Sequence, residues 1–123
     1  MNSLCTTTDC IWIPFTANDN EKWLIKYDIT SVHYEIAISN MAVVYKEKLE
    51  SNNIEKRCLL LNPRLDAPVS AILNYIKVSI ADQQKLSTIF SIRLQGDKTL
   101  QLCFSNKFCN KFPFSWDFEF VFL

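Results

Sequence analysis

Glycine is nearly absent from this sequence, since Gly96 is the only one among 123 residues. Phosphate-binding loops and dinucleotide-binding turns both need several glycines to bring the backbone close to the ligand. Histidine is equally scarce: a Ser-His-Asp or Cys-His centre would have to form around His33, which lies in a strand-like segment. We therefore predict neither nucleotide hydrolysis nor nucleophilic catalysis, and expect a protein that is not an enzyme.

Paired cysteines, net charge and long apolar runs are also missing. The five cysteines are odd in number and form no Cys-x-x-Cys pair, which favours free thiols over a disulfide framework or a zinc site. We expect no metal and no cofactor. Thirteen Lys and Arg balance thirteen Asp and Glu, so the positive field that tight DNA binding requires is lacking. No run approaches the roughly 18 apolar residues of a membrane span, so we expect no membrane contact.

Alternation of apolar and polar residues dominates the first third of the chain. A period of two is typical of a strand with one face on a core. It predicts a short strand over 11–15, a second over 23–29 and a third over 31–38. The residues of the third strand expected on the core face are Val32, Tyr34, Ile36 and Ile38.

The period lengthens in the middle third. Ser39 is a suitable N-cap for a predicted helix. Its apolar face would hold Met41, Val44, Tyr45 and Leu49, and its solvent face Lys46, Glu47, Lys48 and Glu50. A second helix is predicted over 53–61, because Pro63 disfavours helical geometry at the residue before it. A third is predicted after Asp66 as its cap, with Val69, Ile72, Leu73, Ile76 and Ile80 as its apolar stripe.

Strand-like alternation returns in the last third. Phe90, Ile92 and Leu94 alternate with polar residues, and a turn at Gly96 and Asp97 leads into 100–104, which predicts a hairpin. A final aromatic strand is predicted over 116–122. The order of strands, helices and strands predicts an α+β, mainly β, fold: an antiparallel sandwich or flattened barrel with helices at one side.

The length of the chain fits one domain over residues 1–123. The last predicted strand stops at Leu123 in apolar sequence. We therefore expect a structured continuation in the natural protein.

Two segments contain charged and apolar residues that the fold alone does not explain. The first, 57–68, places two arginines and Leu65 at a tight corner between helices. The second, 111–116, includes Lys111 and has Pro113 stiffening the loop beside Phe112. Phe112 is either displayed for a partner or folded back onto the core, and the sequence favours neither.

These two segments resemble the head domain of the XLF (Cernunnos) family. The pattern Arg57-x-x-x-Leu61-Asn62-x-Arg64-Leu65-x-Ala67-Pro68 is similar to the family's helix-turn-helix segment. Phe112-Pro113-Phe114-x-Trp116-Asp117-Phe118 is similar to the entry of its last strand. The resemblance covers the chain from about Trp12 onward and rests on the joint spacing of both segments. It implies a seven-stranded antiparallel sandwich that carries a helix-turn-helix.

The resemblance also implies a non-catalytic scaffold of DNA double-strand break repair by non-homologous end joining, acting in the nucleus. Such heads dock on the head of the scaffold that carries the DNA ligase, so the ligase complex is an indirect partner, and alternating dimers form filaments that bridge DNA ends. A coiled-coil stalk makes the homodimer, and a basic tail provides the contacts with Ku and much of those with DNA. Both would lie outside this chain, which we therefore expect to be monomeric.

Residue by residue, Phe112 resembles the apolar knob that enters a pocket on the partner head, and Arg64 and Leu65 resemble its flanking contacts. Lys111 precedes the knob, and Arg57 either contacts the partner or ties the corner to the sandwich. Two positions depart from the family pattern: Pro63 stands where a basic residue is usual, and Phe112 replaces a leucine-like knob. The partner's pocket would then be wider or its docking angle different.

An alternative of another class stays open. Centriolar coiled-coil assembly proteins also place a similar sandwich head before a coiled coil and dock through an aromatic knob. A short stalk with a Lys/Arg-rich tail would indicate repair, and a very long heptad array would indicate the centriole. A small enzyme or ligand carrier is disfavoured by the single histidine, the single glycine and the predicted aromatic core.

Overall fold

The computed structural model describes residues 11–96, 98–109 and 112–122, with the backbone alone at 107–109, 112 and 113. Within these ranges the chain forms seven strands and two helices. The strands are β1 (Ile13–Thr16), β2 (Lys22–Ile29), β3 (His33–Ser39), β4 (Val44–Glu50), β5 (Ile89–Leu94), β6 (Thr99–Cys109) and β7 (Phe112–Phe122). The helices α1 (Ser51–Leu61) and α2 (Val69–Ala81) lie between β4 and β5.

All seven strands belong to one antiparallel sheet in the order β1-β2-β3-β4-β7-β6-β5. A parallel bridge between Ala17, just after β1, and Phe90 in β5 joins the two ends of the sheet. The Asn18 side chain also accepts a hydrogen bond from the Ile92 amide at 2.7 Å. The sheet is therefore a nearly closed barrel, and the predicted mainly β class with seven antiparallel strands is confirmed.

The barrel interior is filled by side chains of alternate strand residues. Trp23 and Ile25 of β2 and Tyr34, Ile36 and Ile38 of β3 are buried, as the period of two predicted. Strand β7 contributes a row of buried aromatic side chains, namely Phe114, Trp116, Phe118 and Phe120. Val32 was predicted to face the core but is 56% exposed, because it lies in the turn before β3.

The helix predicted from Met41 is wrong, because this segment is a turn followed by strand β4. Ser39 Oγ accepts the Met41 amide at 3.0 Å, and Asn40 Oδ1 accepts the amides of Ala42 and Val43. These bonds close a turn in place of a helix N-terminus, and Met41 has φ 81°. In the strand, Tyr45, Glu47 and Leu49 share the inward face; Glu47, predicted to be in water, is buried.

The other two predicted helices are confirmed. Helix α1 buries Ile54 and Cys58, and α2 buries Ile72, Leu73, Ile76 and Ile80, the stripe expected from the sequence. Asp66 does not cap α2: Pro68 occupies the N-cap position, and no side chain caps the helix.

The predicted hairpin of β5 and β6 is also confirmed. Phe90 faces Phe104 and Ile92 faces Leu102 in the register, and the Gln95 amide donates to the Thr99 carbonyl at the turn. Asp97, the second residue of the predicted turn, lies outside the described residues. Leu94 is 69% exposed although the alternation placed it with Phe90, whereas its cross-strand partner Leu100 is buried.

Candidate partner-docking surface

The corner between the two helices, residues 62–68, carries two of the predicted contact residues. The Asn62 amide closes the end of α1 by donating to the Cys58 carbonyl at 2.7 Å, and the Leu65 amide donates to the Asn62 carbonyl at 2.9 Å. These bonds fold the chain back between the helices. Arg64 stands exposed on the outside of the corner, and Leu65 is half-buried against the core.

The Asn62 side chain fastens this corner to strand β7. Its Nδ2 donates to the Ser115 carbonyl at 2.8 Å, and its Oδ1 accepts the Ser115 amide at 3.0 Å. Because Asn62 is buried and both bonds are to the backbone, the pairing is independent of the side chain at 115. Ser115 lies three positions after Phe112, about 10 Å along an extended strand. The two segments singled out in the sequence therefore meet in space.

Arg57 connects α1 to three strands. Its Nη1 lies within hydrogen-bond distance of Glu47 Oε1 at 2.9 Å, Tyr34 Oη at 3.2 Å and the Asp117 carbonyl at 3.0 Å. Its guanidinium also stacks over the Trp116 ring, 5.8 Å from the ring centre. These contacts are those of the alternative in which Arg57 ties the corner to the barrel.

Tyr34 completes this buried network. Its hydroxyl donates to Glu47 Oε1 at 2.5 Å and accepts from Trp116 Nε1 at 3.2 Å. Burial, and then the charge of Glu47 and the hydrogen bond to it, raise the pKa of the Tyr34 hydroxyl, which stays protonated and can act as a donor. The Glu47 carboxylate is thus held by one cation and one hydroxyl, which is how a charge is tolerated inside a barrel.

Apolar surface surrounds the corner. Leu59 and Leu60 at the end of α1 are 59% and 83% exposed, so the solvent face of the helix turns apolar as it approaches the corner. A shallow groove of about 330 Å³ runs beside them, lined by Leu59, Leu65, Ala67 and Ile72 with two carboxylates, Glu55 and Asp66. Arg64 is exposed next to Leu65, so this apolar surface is accompanied by a cation that can pair bidentately with a carboxylate.

The predicted site residues do not all lie together. Arg64 and Leu65 lie at the corner, whereas Arg57 lies within α1 and turns inward to the barrel. Lys111 lies outside the described residues, and of Phe112 the backbone alone is described, as the first residue of β7. The role of all five in binding stays a prediction. Asn62, which holds the corner, was visible in the sequence only as part of the family-like pattern.

The described residues contain no group of three or more His, Cys, Asp or Glu side chains able to hold a metal ion. No helix among them is long and apolar enough to cross a membrane. Cys58 and Cys103 are present as free thiols.

The sequence over residues 11–122 matches the family model of the XLF N-terminal domain. The chain belongs to this family. Proteins of this family are non-catalytic scaffolds associated with DNA repair, and their head domains interact with partner scaffold proteins. A comparison with curated proteins gave no match.

The XLF-type fold is also that of a solved structure, the crystal structure of the head domain of human CCDC61. The TM-score is 0.72 at 5% sequence identity, and the match covers 92% of this chain and 99% of the CCDC61 chain. At this identity the likeness concerns the fold alone.

Proposed function

We propose that this chain is the head of a scaffold for non-homologous end joining, which docks on the head of the ligase-bearing scaffold. Full-length dimers would then alternate with partner dimers in filaments that bridge DNA ends in the nucleus and promote ligation. Contacts with Ku and DNA come mainly from regions after the head, and the ligase complex is reached through the partner. The head itself is monomeric and performs no catalysis.

The pairing of Asn62 with the Ser115 backbone carries this proposal. It joins the Arg64 and Leu65 corner to the strand that begins at Phe112. On this proposal the docking surface would combine the exposed Arg64, the half-buried Leu65 and the proline-flanked Phe112. Interfaces of head domains that must assemble and dissociate need such a small anchor cluster with a polar rim.

The expected affinity is modest. Burial of one aromatic knob contributes about 1.5 to 3 kcal/mol, and a charge-assisted hydrogen bond from Arg64 contributes roughly 1.5 to 3 kcal/mol. Part of this is lost to the entropy of association, so a single head contact is weak. Repetition along a filament of dimers supplies the remaining stability through high local concentration.

Charge reversal at Arg64 gives the sharpest test, because this side chain is exposed and its replacement should leave the fold intact. We expect Arg64→Glu to weaken binding of the purified partner head by about 2 kcal/mol, or roughly 30-fold in Kd, measured by calorimetry. Phe112→Asp should abolish detectable binding, with circular dichroism and thermal unfolding recorded beside it.

Arg93→Glu serves as the matched control, since Arg93 is an exposed arginine on β5, away from the corner. It should leave the Kd unchanged. Equal loss of binding in Arg64→Glu and Arg93→Glu would indicate a general charge effect. Unchanged binding in both Arg64→Glu and Phe112→Asp would refute the proposed surface.

The shared fold with the CCDC61 head keeps a second candidate, the head of a centriolar-type coiled-coil assembly protein. The fold alone does not separate the two. Tagged full-length protein distinguishes them in cells: recruitment to laser-induced DNA breaks supports end joining, and accumulation at centrioles without such recruitment supports the alternative.

A further inference from the structure

The solvent face of α1 changes character along the helix. Its earlier exposed residues are polar, namely Asn52, Asn53, Glu55 and Lys56. At the end that meets the corner, Leu59 and Leu60 are 59% and 83% exposed. The core takes Ile54 and Cys58 from this helix, so packing inside the domain does not account for the two leucines. Adjoining apolar side chains in water indicate a surface that contacts another molecule.

Leu59 forms one wall of a groove between α1, the corner and the start of α2, which we call the corner groove. Its apolar lining consists of Cys58, Leu59, Leu65, Ala67, Pro68 and Ile72. Positions 55, 58 and 59 share one face of the helix, which is why Glu55 borders the groove as well. The volume of about 330 Å³ is at the lower end of the range of ligand sites and suits one inserted side chain.

Leu65 links the corner groove to the docking surface proposed above. It lines the groove and is also one of the predicted partner contacts. Because Leu65 is half-buried, a partner that packs on its exposed part also covers the groove. A partner that left the groove empty would lose the dispersion contacts of the whole lining. Docking at Leu65 therefore favours a partner surface with a protruding apolar side chain.

Two carboxylates border the corner groove, Glu55 on α1 and Asp66 at the corner. Among the described residues that line it, none is a lysine or an arginine. Neither carboxylate takes part in the ion pairs that the described part of the chain forms. Lys56 follows Glu55 in the sequence but projects about 100° further around the helix and does not line the groove. A cation on the partner, beside its apolar side chain, therefore finds two unpaired carboxylates.

We propose that the partner head inserts an apolar side chain of its own, of the size of Leu, Met or Phe, into the corner groove. A lysine or arginine beside it approaches Glu55 and Asp66. The docking is then reciprocal, because this head offers Phe112 and receives a side chain next to Leu59. The inference rests on the proposed function, and it adds Leu59 and Glu55 as residues that determine which partner heads fit.

Calorimetry with the purified head of the ligase-bearing scaffold tests the apolar part. Leu59→Gln keeps a good helix former and removes the apolar wall, so the Kd should rise about fivefold or more. Leu94→Gln is the matched control, because Leu94 is also an exposed leucine, at 69%. It lies five residues from Ile89, whose row across the sheet contains Ser115, or about 17 Å along the strand. Its Kd should equal that of the native chain.

The same titration tests the charged rim. Glu55→Lys should raise the Kd about fivefold at low salt, and the difference should shrink as salt is added, because the rim is exposed. Asp28→Lys is the matched control, since Asp28 is an exposed carboxylate on β2 and its reversal changes the net charge by the same amount. It should leave the Kd within about twofold of the native value.

Carbon-13 methyl spectra of the native chain show directly whether the groove is filled. Saturation with the partner head should shift the methyl signals of Leu59, Ala67 and Ile72. Ile72 is 2% exposed, so a shift of its signal reports a side chain on the floor of the groove rather than contact at the rim. This measurement needs no variant.

The outcomes separate this inference from the proposed function. If the native chain does not bind the partner head, the proposed function fails and the reciprocal contact fails with it. If Arg64→Glu weakens binding but Leu59→Gln binds like the native chain, only the reciprocal contact is overturned. Unshifted Ala67 and Ile72 signals in the saturated complex, or equal Kd values for Glu55→Lys and Asp28→Lys, would also overturn it.

Discussion

Replacing Asn62 by alanine should loosen the corner that carries Arg64 and Leu65. The change removes two hydrogen bonds to the Ser115 backbone, at 2.8 and 3.0 Å, from a side chain that is 8% exposed. Each contributes about 1 kcal/mol, and the stranded amide and carbonyl of Ser115 add to the loss because water reaches them only in part. We expect the free energy of unfolding to fall by about 2 to 4 kcal/mol, a large share of the 5 to 15 kcal/mol typical of a domain.

Urea unfolding followed by tryptophan fluorescence measures this loss. The midpoint should fall by about 1 to 2 M, given a slope of roughly 2 kcal/mol per molar for a domain of this size. Asn53→Ala is the matched control on the same helix, because Asn53 is exposed. It should change stability by no more than about 0.5 kcal/mol.

Asn62→Asp adds a second comparison. It keeps the oxygen that accepts the Ser115 amide but loses the donor, and it places a negative charge against the Ser115 carbonyl. At neutral pH it should be at least as destabilised as Asn62→Ala. If Asn62→Ala and Asn53→Ala are equally stable, the Asn62 pairing does not hold the corner and the reasoning from it fails.

Two further predictions concern the interior and the outer face of the barrel. Arg57→Ala leaves the buried Glu47 carboxylate without its cation and should cost about 3 kcal/mol in urea unfolding, whereas Lys46→Ala, which breaks an ion pair with side chains 40% and 34% exposed, should cost under about 1 kcal/mol. Similar losses in the two variants would contradict this assignment. Burial, and then the Asp117 carboxylate, raise the pKa of Cys103 from 9.0 to about 12, so its alkylation at pH 8 should be much slower than that of a free cysteine. Because the pKa of Cys103 is higher in the folded state, its contribution to stability is present below pH 9 and is lost as the pH rises toward 12. Alkylation of Cys103 at the rate of a free cysteine would refute the raised pKa.

The failed helix prediction shows how a tertiary contact can mask a strand. In β4 the inward row is Tyr45, Glu47 and Leu49, and a charged residue in its centre interrupts the alternation that marks a strand. The same residues then fit a helical face as well. Glu47 is accommodated inside because Arg57 arrives from α1 and the Tyr34 hydroxyl from β3, which no local pattern could reveal.

The sequence predicted the residues of the candidate surface but not that its two segments adjoin. The residue types at 64, 65 and 112, together with their family-like spacing, predict a docking role. That the two segments adjoin depends on Asn62 pairing with a backbone group 53 residues later.

The sequence by itself determined where most strands and both helices lie, because the period of apolar residues is a property of each segment and needs no partner. It also determined the family, through the spacing of two short segments. Only the tertiary structure decided that 44–50 is a strand, which charges are buried and which surfaces meet. Those outcomes depend on free energies shared between residues far apart in the chain, which become favourable only when the barrel closes around them.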